Sequence, residues 1–491
     1  MRIPLCFLLP LVSCTWGLAS GQALPPEVVQ ALARAKVPID ALSVLVVDAE
    51  GKAPPRLSHR ATVPVNPASV MKLVTTYAAL DLLGPGYTWR TPVFVEGAVR
   101  EGTLYGNLYV KGSGDPKLVA ERLWLLLRRV QGLGIKNIAG DIVLDRSAFE
   151  VAPIDAASFD GEPLRPYNAT PEALLVNYKS VAMTFVPDRT ANIATVQFEP
   201  PLAGVEFQKS LPLSPEKRSG NGNGNGGADC GDYRAKLLAD FSSPQRISFA
   251  GSYPASCGEK VWPVAYMEPQ SFSARALQGL WREMGGQLTG TVREGRVPEL
   301  SSAEGKVRLP VAFESVSPAL AEVVRDINKY SNNVMAQQLF LTLSLSGAAH
   351  NGEAATLAKS QEVVRQWWTE RISRDDVPSV GNGSGLSRED RISAQALARL
   401  LQSAYRSPLM PELMASLPIT GVDGTLKNRR SVAQSSAHLK TGSLRDVTAV
   451  AGYVHGASGK RYALVAIVNH PNANAARAAF DALVTWSVSD N

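Results

Sequence analysis

At 491 residues the chain is long enough for two or three domains with a sizeable core. Its formal charge of +6 suits an acidic partner such as a carboxylate, but the basic residues are scattered rather than gathered on one stretch, so a nucleic-acid partner has no support. Five histidines without ligand spacing leave no metal site to assign, and the absence of Gly-x-Ser-x-Gly argues against a hydrolase of the Ser-His-Asp type.

The chain opens with Arg2, an apolar stretch from Ile3 to Val12 and small residues at Ala19, Ser20, Gly21 and Ala23. Residues 1–23 therefore read as a cleavable secretory signal, and the protein as exported and periplasmic. Leu11-Val12-Ser13-Cys14 also resembles a lipoprotein processing site with Cys14 as lipid acceptor. The apolar region before Cys14 is short and Trp16 to Ala19 prolongs it, which favours simple cleavage. No later segment is long and apolar enough to span a membrane, so any membrane association is expected to be peripheral.

Ser69-Val70-Met71-Lys72 follows Asn66-Pro67-Ala68 and precedes an apolar run to Leu83. Asn66 suits a helix N-cap and Pro67 the first helical position, so a helix is predicted from there, with Ser69 in its first turn. Residues three apart share a helix face, which sets the Lys72 amine beside the Ser69 hydroxyl. A serine needs a base to become nucleophilic, and a lysine in an apolar setting loses its proton readily enough to be one. Val70, Met71, Leu73, Val74, Tyr77 and Leu80 supply that setting. The unpaired N–H of Ser69 is also free to help hold an oxyanion.

From about Thr88 to Ser271 the text becomes strand-like, with candidate strands at Pro92 to Val99, Thr103 to Val110, Gly140 to Asp145, Ser180 to Val186, Ala194 to Glu199 and Arg246 to Ala250. A helical run from Lys117 to Val130 interrupts it, and Asn221 to Gly227 is a flexible loop by composition. Cys230 and Cys257 remain once the signal is set aside, and in an exported chain they are expected to form one disulfide; two buried free thiols are the alternative. From Phe272 helices dominate again. The predicted organisation is a catalytic domain in two parts, 24–87 and 272–491, around a mainly-β insertion over 88–271.

Two further motifs follow in order. Ser331-Asn332-Asn333 falls between amphipathic stretches Leu320 to Lys329 and Val334 to Leu343, so it reads as a break between two helices. Lys440-Thr441-Gly442-Ser443 precedes a strand-like run, Val447 to Val454, a turn at Gly456 to Lys460 and a second strand, Tyr462 to Asn469. Decoys lack this order or setting. Ser214-Pro215-Glu216-Lys217 lies in a loop by composition, Ser219-Gly220-Asn221 in the low-complexity tract and Ser489-Asp490-Asn491 at the C-terminus.

Ser-x-x-Lys on a helix, Ser-x-Asn between helices and Lys-Thr-Gly opening a strand form the motif set of the penicillin-binding proteins and serine β-lactamases. The chain resembles the D-alanyl-D-alanine carboxypeptidase/endopeptidase family of class C low-molecular-mass penicillin-binding proteins, the DacB type. Gly112 to Pro116, Gly383-Ser384-Gly385-Leu386-Ser387-Arg388, Gly424-Thr425-Leu426-Lys427-Asn428-Arg429 and Ala451-Gly452-Tyr453-Val454 carry the resemblance further, and the large insertion is itself a family mark.

The resemblance implies an α/β (α+β) transpeptidase fold, an antiparallel sheet flanked by helices with a large mainly-β inserted region. It implies Ser69 as nucleophile, Lys72 as its base and Ser331 as proton donor to the leaving amine. Lys440, Thr441 and Ser443 would bind the terminal carboxylate, Asn333 would orient Lys72 and the substrate amide, and Arg388 is a candidate for a substrate carboxylate. Peptidoglycan stem peptides would be substrates and β-lactams covalent inhibitors, with no cofactor. An inserted-domain aspartate is expected shortly before an aromatic; here Tyr167 is preceded by both Glu162 and Asp160. Two rivals are a β-lactamase and a lapsed wall-binding protein. Glu172 to Asn177 nearly matches a deacylating Glu-x-x-Leu-Asn, but Asn177 is one residue too far and the element precedes Ser331.

Overall fold

The computed structural model describes residues 23–214, 230–302, 305–346, 352–429 and 433–490. Cys14, the signal segment apart from Ala23, and the tract from Asn221 to Gly227 lie outside the described residues.

A five-stranded antiparallel sheet forms the centre of the fold, in the order Leu57–His59, Leu42–Asp48, Arg461–Asn469, Val447–His455, Ala437–Leu444. Its strands are apolar on both sides, because successive side chains point to opposite faces and both faces are covered. Leu45 and Val47 face one core with Ala449, Ala451, Val465 and Ile467, where helices Lys72–Leu83, Leu320–Tyr330, Asn333–Leu343 and Ala394–Arg406 pack. Val44 and Val46 face the other with Val450, Leu464, Ala466 and Val468, under helices Pro26–Arg34 and Arg477–Ser489. The sheet thus joins strands from both ends of the chain, with helices on each side as expected.

The insertion builds its own core around helix Ala120–Gly132, packed on short strands. One sheet orders Val292–Glu294, Ile142–Asp145, Leu108–Lys111, Arg90–Val95 and Val311–Val316; another, antiparallel apart from one edge, carries Ser180–Asp188 and Ile193–Glu199 at its centre. These sheets correct the boundary expected at 271. Helix Pro269–Glu283 buries Phe272, Leu277, Leu280 and Trp281 in the insertion's core, and the strand Val311–Val316 returns to pair with Arg90–Val95. An amphipathic pattern announces a helix without saying which core it covers, so the return of helical text at Phe272 gave the wrong limit.

Cys230 and Cys257 are bonded, with Cα atoms 4.7 Å apart and a sequence separation of 27. Cys257 is buried in the insertion's core. Replacing both by serine is expected to cost about 3 kcal/mol through the unfolded chain's regained freedom. A thermal melt should register the loss, while penicillin labelling of the folded variant stays unchanged.

Candidate active site

The local structure around Ser69 departs from the expected helix start. Ala68–Met71 form a 3-10 turn and the α-helix begins only at Lys72. Asn66 is not a helix cap: its Oδ1 accepts the Ala68 N–H at 2.8 Å, and its main chain exchanges hydrogen bonds with the Asn469 side-chain amide, each 2.9 Å. Asn66 Nδ2 donates to the Ser387 carbonyl at 2.8 Å. The turn is therefore tied to the end of a central strand and to the 381–387 loop, with Ala68 held at φ +48°. In a 3-10 turn residues three apart eclipse one another, so Ser69 and Lys72 are brought together more directly than on an α-helix.

Lys72 Nζ donates to Ser69 Oγ at 2.9 Å, to Asn333 Oδ1 at 2.6 Å and to the Ser384 carbonyl. The side chain is fully buried. Burial drives its pKa well below the ordinary lysine value and the charge of Lys440 adds to this, with only Asp390 opposing. Ser69 itself remains partly open to solvent. A lysine whose proton is loosened by burial, set against an accessible hydroxyl, is the arrangement a general base requires.

Ser331 ends helix Leu320–Tyr330 in the left-handed region, at φ +57° and ψ +37°. Asn332 then caps the next helix, its side chain accepting the Met335 N–H at 3.0 Å, so that Asn333 enters the first turn facing Lys72. A left-handed non-glycine residue costs on the order of 1 kcal/mol, and here it turns the chain between two helices that fix both neighbours. On the far side of Ser331, Lys440 Nζ donates to Ser331 Oγ at 2.9 Å and to the Thr441 carbonyl at 2.7 Å. Lys440 is also fully buried, and desolvation lowers its pKa to about 7.

The third motif sits differently from expectation. Lys-Thr-Gly lies inside the strand Ala437–Leu444, which pairs in a hairpin with Val447–His455, rather than ahead of the first strand. The strand passes directly against the turn that carries Ser69. A Cβ on Gly442 would stand 2.6 Å from the Pro67 carbonyl oxygen and 3.1 Å from the Ser69 nitrogen, so only glycine permits this approach.

A cavity of about 480 Å³ opens above these groups and is lined by Ser69, Ser331, Asn333, Arg388 and Ser443 together with Phe159, Asp160, Tyr167 and Arg445. Thr441 turns its hydroxyl to Thr425 Oγ1, 2.7 Å away. Arg388 stands at the rim, paired with Asp446 at 3.0 Å and stacked 4.9 Å from the Phe159 ring centre.

Of the two acids near Tyr167, Asp160 lines the cavity, while Glu162 pairs with Arg165 at 3.3 Å. Asp160 accepts from Tyr167 Oη at 2.9 Å and Asn168 Nδ2 at 2.8 Å. Desolvation works to raise its carboxyl, but these donors and the Glu162 N–H outweigh it and hold the pKa low. Tyr167 is in turn pushed up to about 12 by desolvation and its bond to Asp160.

The sequence reading missed Phe159, Thr425 and the Ser384 carbonyl as parts of the site. Gly383-Ser384-Gly385 was a visible loop signal, but a main-chain carbonyl's role leaves no mark on residue type.

The D-Ala-D-Ala carboxypeptidase 3 (S13) family matches residues 26–489, nearly the whole chain. A D-alanyl-D-alanine carboxypeptidase of an Actinomadura species is 28% identical over 403 residues, covering 80% of this chain and 71% of the relative. The D-alanyl-D-alanine carboxypeptidase DacB of Haemophilus influenzae is 24% identical over 412 residues, 82% of this chain and 80% of its own. Among solved structures, penicillin binding protein 4 (dacB) from Haemophilus influenzae superposes with a TM-score of 0.69 at 22% identity, covering 93% of this chain and 99% of that one. A predatory endopeptidase of Bdellovibrio bacteriovorus in complex with its immunity protein gives 0.51 at 16% identity, over 91% and 92% of the two chains. The structures share the fold, and the match from residue 26 to residue 489 takes in Ser69, Ser331, Lys440 and the insertion together: the chain belongs to the D-Ala-D-Ala carboxypeptidase 3 (S13) family.

Proposed function

We propose that this protein is a serine-type D-Ala-D-Ala carboxypeptidase, with DD-endopeptidase action on cross-linked peptidoglycan, working through an acyl-enzyme on Ser69. The observation that carries the reading is the buried Lys72 amine, 2.9 Å from Ser69 Oγ, with the Lys440–Ser331 pair at 2.9 Å across the same cavity.

Ser69 Oγ attacks the carbonyl of the D-Ala-D-Ala bond while Lys72 takes its proton. The N–H groups of Ser69 and Ser443 hold the oxyanion, and the approach of Gly442 to the Ser69 nitrogen supports that pairing. Because Lys440 donates to Ser331 Oγ, the Ser331 proton can pass to the departing amine while Lys440 gives Ser331 a proton in return. The C–N bond breaks, D-alanine leaves, and water hydrolyses the ester. Lys440, Thr441 and Ser443 receive the terminal carboxylate, and Asn333 orients Lys72. β-Lactams present a similar amide and carboxylate, and stop at the ester.

The two lysines give the pH profile opposite limbs. Lys72 must be neutral to act, so the rate rises with pH through its depressed pKa. Lys440 must be charged to attract a carboxylate, and in the empty site it loses its proton near pH 7. The expected result is a kcat/KM that falls above about pH 7 for peptides with a free carboxylate, while kcat, measured with Lys440 already paired, holds. A flat kcat/KM on the alkaline side would remove Lys440 from carboxylate binding.

Asp160 is assigned to the amino group of a diamino-acid side chain, since its ionised carboxylate faces the cavity. Asp160→Asn should raise KM about fivefold for stem peptides with a free side-chain amine, with no effect when that amine is acetylated. Equal effects on both peptides would assign Asp160 to structure instead.

Release of D-alanine from a pentapeptide tests the carboxypeptidase, and release of monomers from cross-linked muropeptides tests the endopeptidase. Neither product would favour a wall-binding protein without catalysis; rapid hydrolysis of penicillin would favour a β-lactamase. Export to the periplasm belongs to the same reading, since the substrate lies outside the cytoplasmic membrane and the disulfide suits an oxidising compartment. Among the described residues no helix is long and apolar enough to cross a membrane.

A further inference from the structure

Segment 418–426 runs beside the strand that carries Lys-Thr-Gly. Leu439 N donates to the Pro418 carbonyl at 2.9 Å and Thr420 N to the Ala437 carbonyl at 3.0 Å, so the segment covers the outer edge of that strand. It then turns away and is fastened to a different element. Asp423 accepts from Lys329 Nζ at 2.6 Å through one oxygen and from the Ile419 N–H at 2.8 Å through the other. Lys329 is 3% exposed and lies two residues before Ser331, on the last turn of helix Leu320–Tyr330. Gly424 approaches the same helix end so closely that a Cβ would stand 2.6 Å from the Lys329 carbonyl oxygen. Between this anchor and the strand stands Thr425, whose hydroxyl oxygen is 2.7 Å from that of Thr441.

We propose that Thr425 is a positioning residue of the carboxylate subsite, donating to Thr441 Oγ1 so that the Thr441 proton points at the substrate carboxylate. The inference rests on the reading of Lys440 and Thr441 as that subsite. A free hydroxyl rotates among three staggered positions, and only some of them aim its proton into the cleft. A donor fixed 2.7 Å away occupies one lone pair, sets the rotor and polarises the O–H, which strengthens the outgoing bond. The Lys329–Asp423 ion pair makes that donor fixed, since it binds the turn to the same helix end that presents Ser331. Carboxylate recognition and the proton-donating serine are thereby set by one anchor.

The hydroxyl is exposed and carries no core packing, so replacing it tests the idea without threatening the fold. Thr425→Val and Thr425→Ser are to be compared with the wild-type enzyme on an acyl-D-Ala-D-Ala peptide. The valine variant should raise KM about fivefold to tenfold with kcat within about twofold, as expected for one lost hydrogen bond to an anion-binding hydroxyl. Serine, which keeps the donor, should restore the wild-type KM. An unchanged KM in the valine variant, an equal fall in kcat, or a serine variant no better than valine would overturn the proposal. Fluorescent penicillin labelling of the wild type separates this from the reading beneath it. A labelled, active wild type with an indifferent valine variant defeats Thr425 alone, whereas an unlabelled wild type that cleaves nothing defeats the acyl-enzyme as well.

Discussion

Ser69→Ala is expected to abolish covalent labelling by fluorescent penicillin and to lower D-alanine release by about ten-thousand-fold or more. Ser69 is the hydroxyl that reaches both the Lys72 amine and the open cavity. Ser331 is another hydroxyl at the cavity, and were it the nucleophile the label would persist in the alanine variant and map to the Ser331 peptide. The substitution removes one hydrogen bond at a partly exposed position, so the melting temperature should hardly move. Peptide mapping of the labelled wild-type enzyme gives the direct check. Label that persists in the alanine variant, or maps to a peptide without Ser69, would sink the assignment.

Lys72→Arg carries the second large effect, a fall in acylation rate of roughly a thousandfold or more. The substitution keeps a nitrogen donor on a long stem, but a guanidinium stays charged in a protein and cannot act as the base. Lys72 is poised for that loss by full burial and by Lys440 nearby. It is also held by three acceptors, Ser69 Oγ, Asn333 Oδ1 and the Ser384 carbonyl, which aim its nitrogen at the nucleophile. The rate constant for acylation by penicillin, measured beside a melting curve, distinguishes lost base from lost fold. A Lys72→Arg enzyme that stays folded and acylates within about tenfold of wild type would transfer the base to another group.

Much of the site was legible because each motif's chemistry depends on short spacing. Ser69 and Lys72 are three residues apart, and the pair is found touching although the turn is 3-10 rather than α-helical. Ser331 between two helices and the strands Val447–His455 and Arg461–Asn469 follow from periodicity, and the disulfide from the count of cysteines. Asn66 looked like a helix cap because an asparagine before Pro67 usually serves a local N–H. Its outer partner, Asn469, is 403 residues away, and no local rule reports it.

The same limit separates Asp160 from Glu162. Both acids precede Tyr167, and only the fold turns one into the cavity and the other onto Arg165. It also lies behind the insertion's reach past residue 271, since Val311–Val316 pairs with a strand some 220 positions earlier, a long-range pairing that residue type does not report.

Taken alone, the sequence singled out the groups to which the chemistry is assigned under the proposed function, Ser69, Lys72, Ser331 and Lys440, because reactivity and local geometry reside in residue type and short spacing. The tertiary structure decided how those groups are tuned and assisted: the burial that lowers both lysines, the Ser384 carbonyl behind Lys72, Asp160 at the cavity and Thr425 beside Thr441. Such effects come from contacts between separate segments, 312 residues apart for Lys72 and the Ser384 carbonyl and 16 apart for Thr425 and Thr441. Desolvation and through-space hydrogen bonds depend on distance in the folded chain, which the order of residues expresses only once the cores have packed.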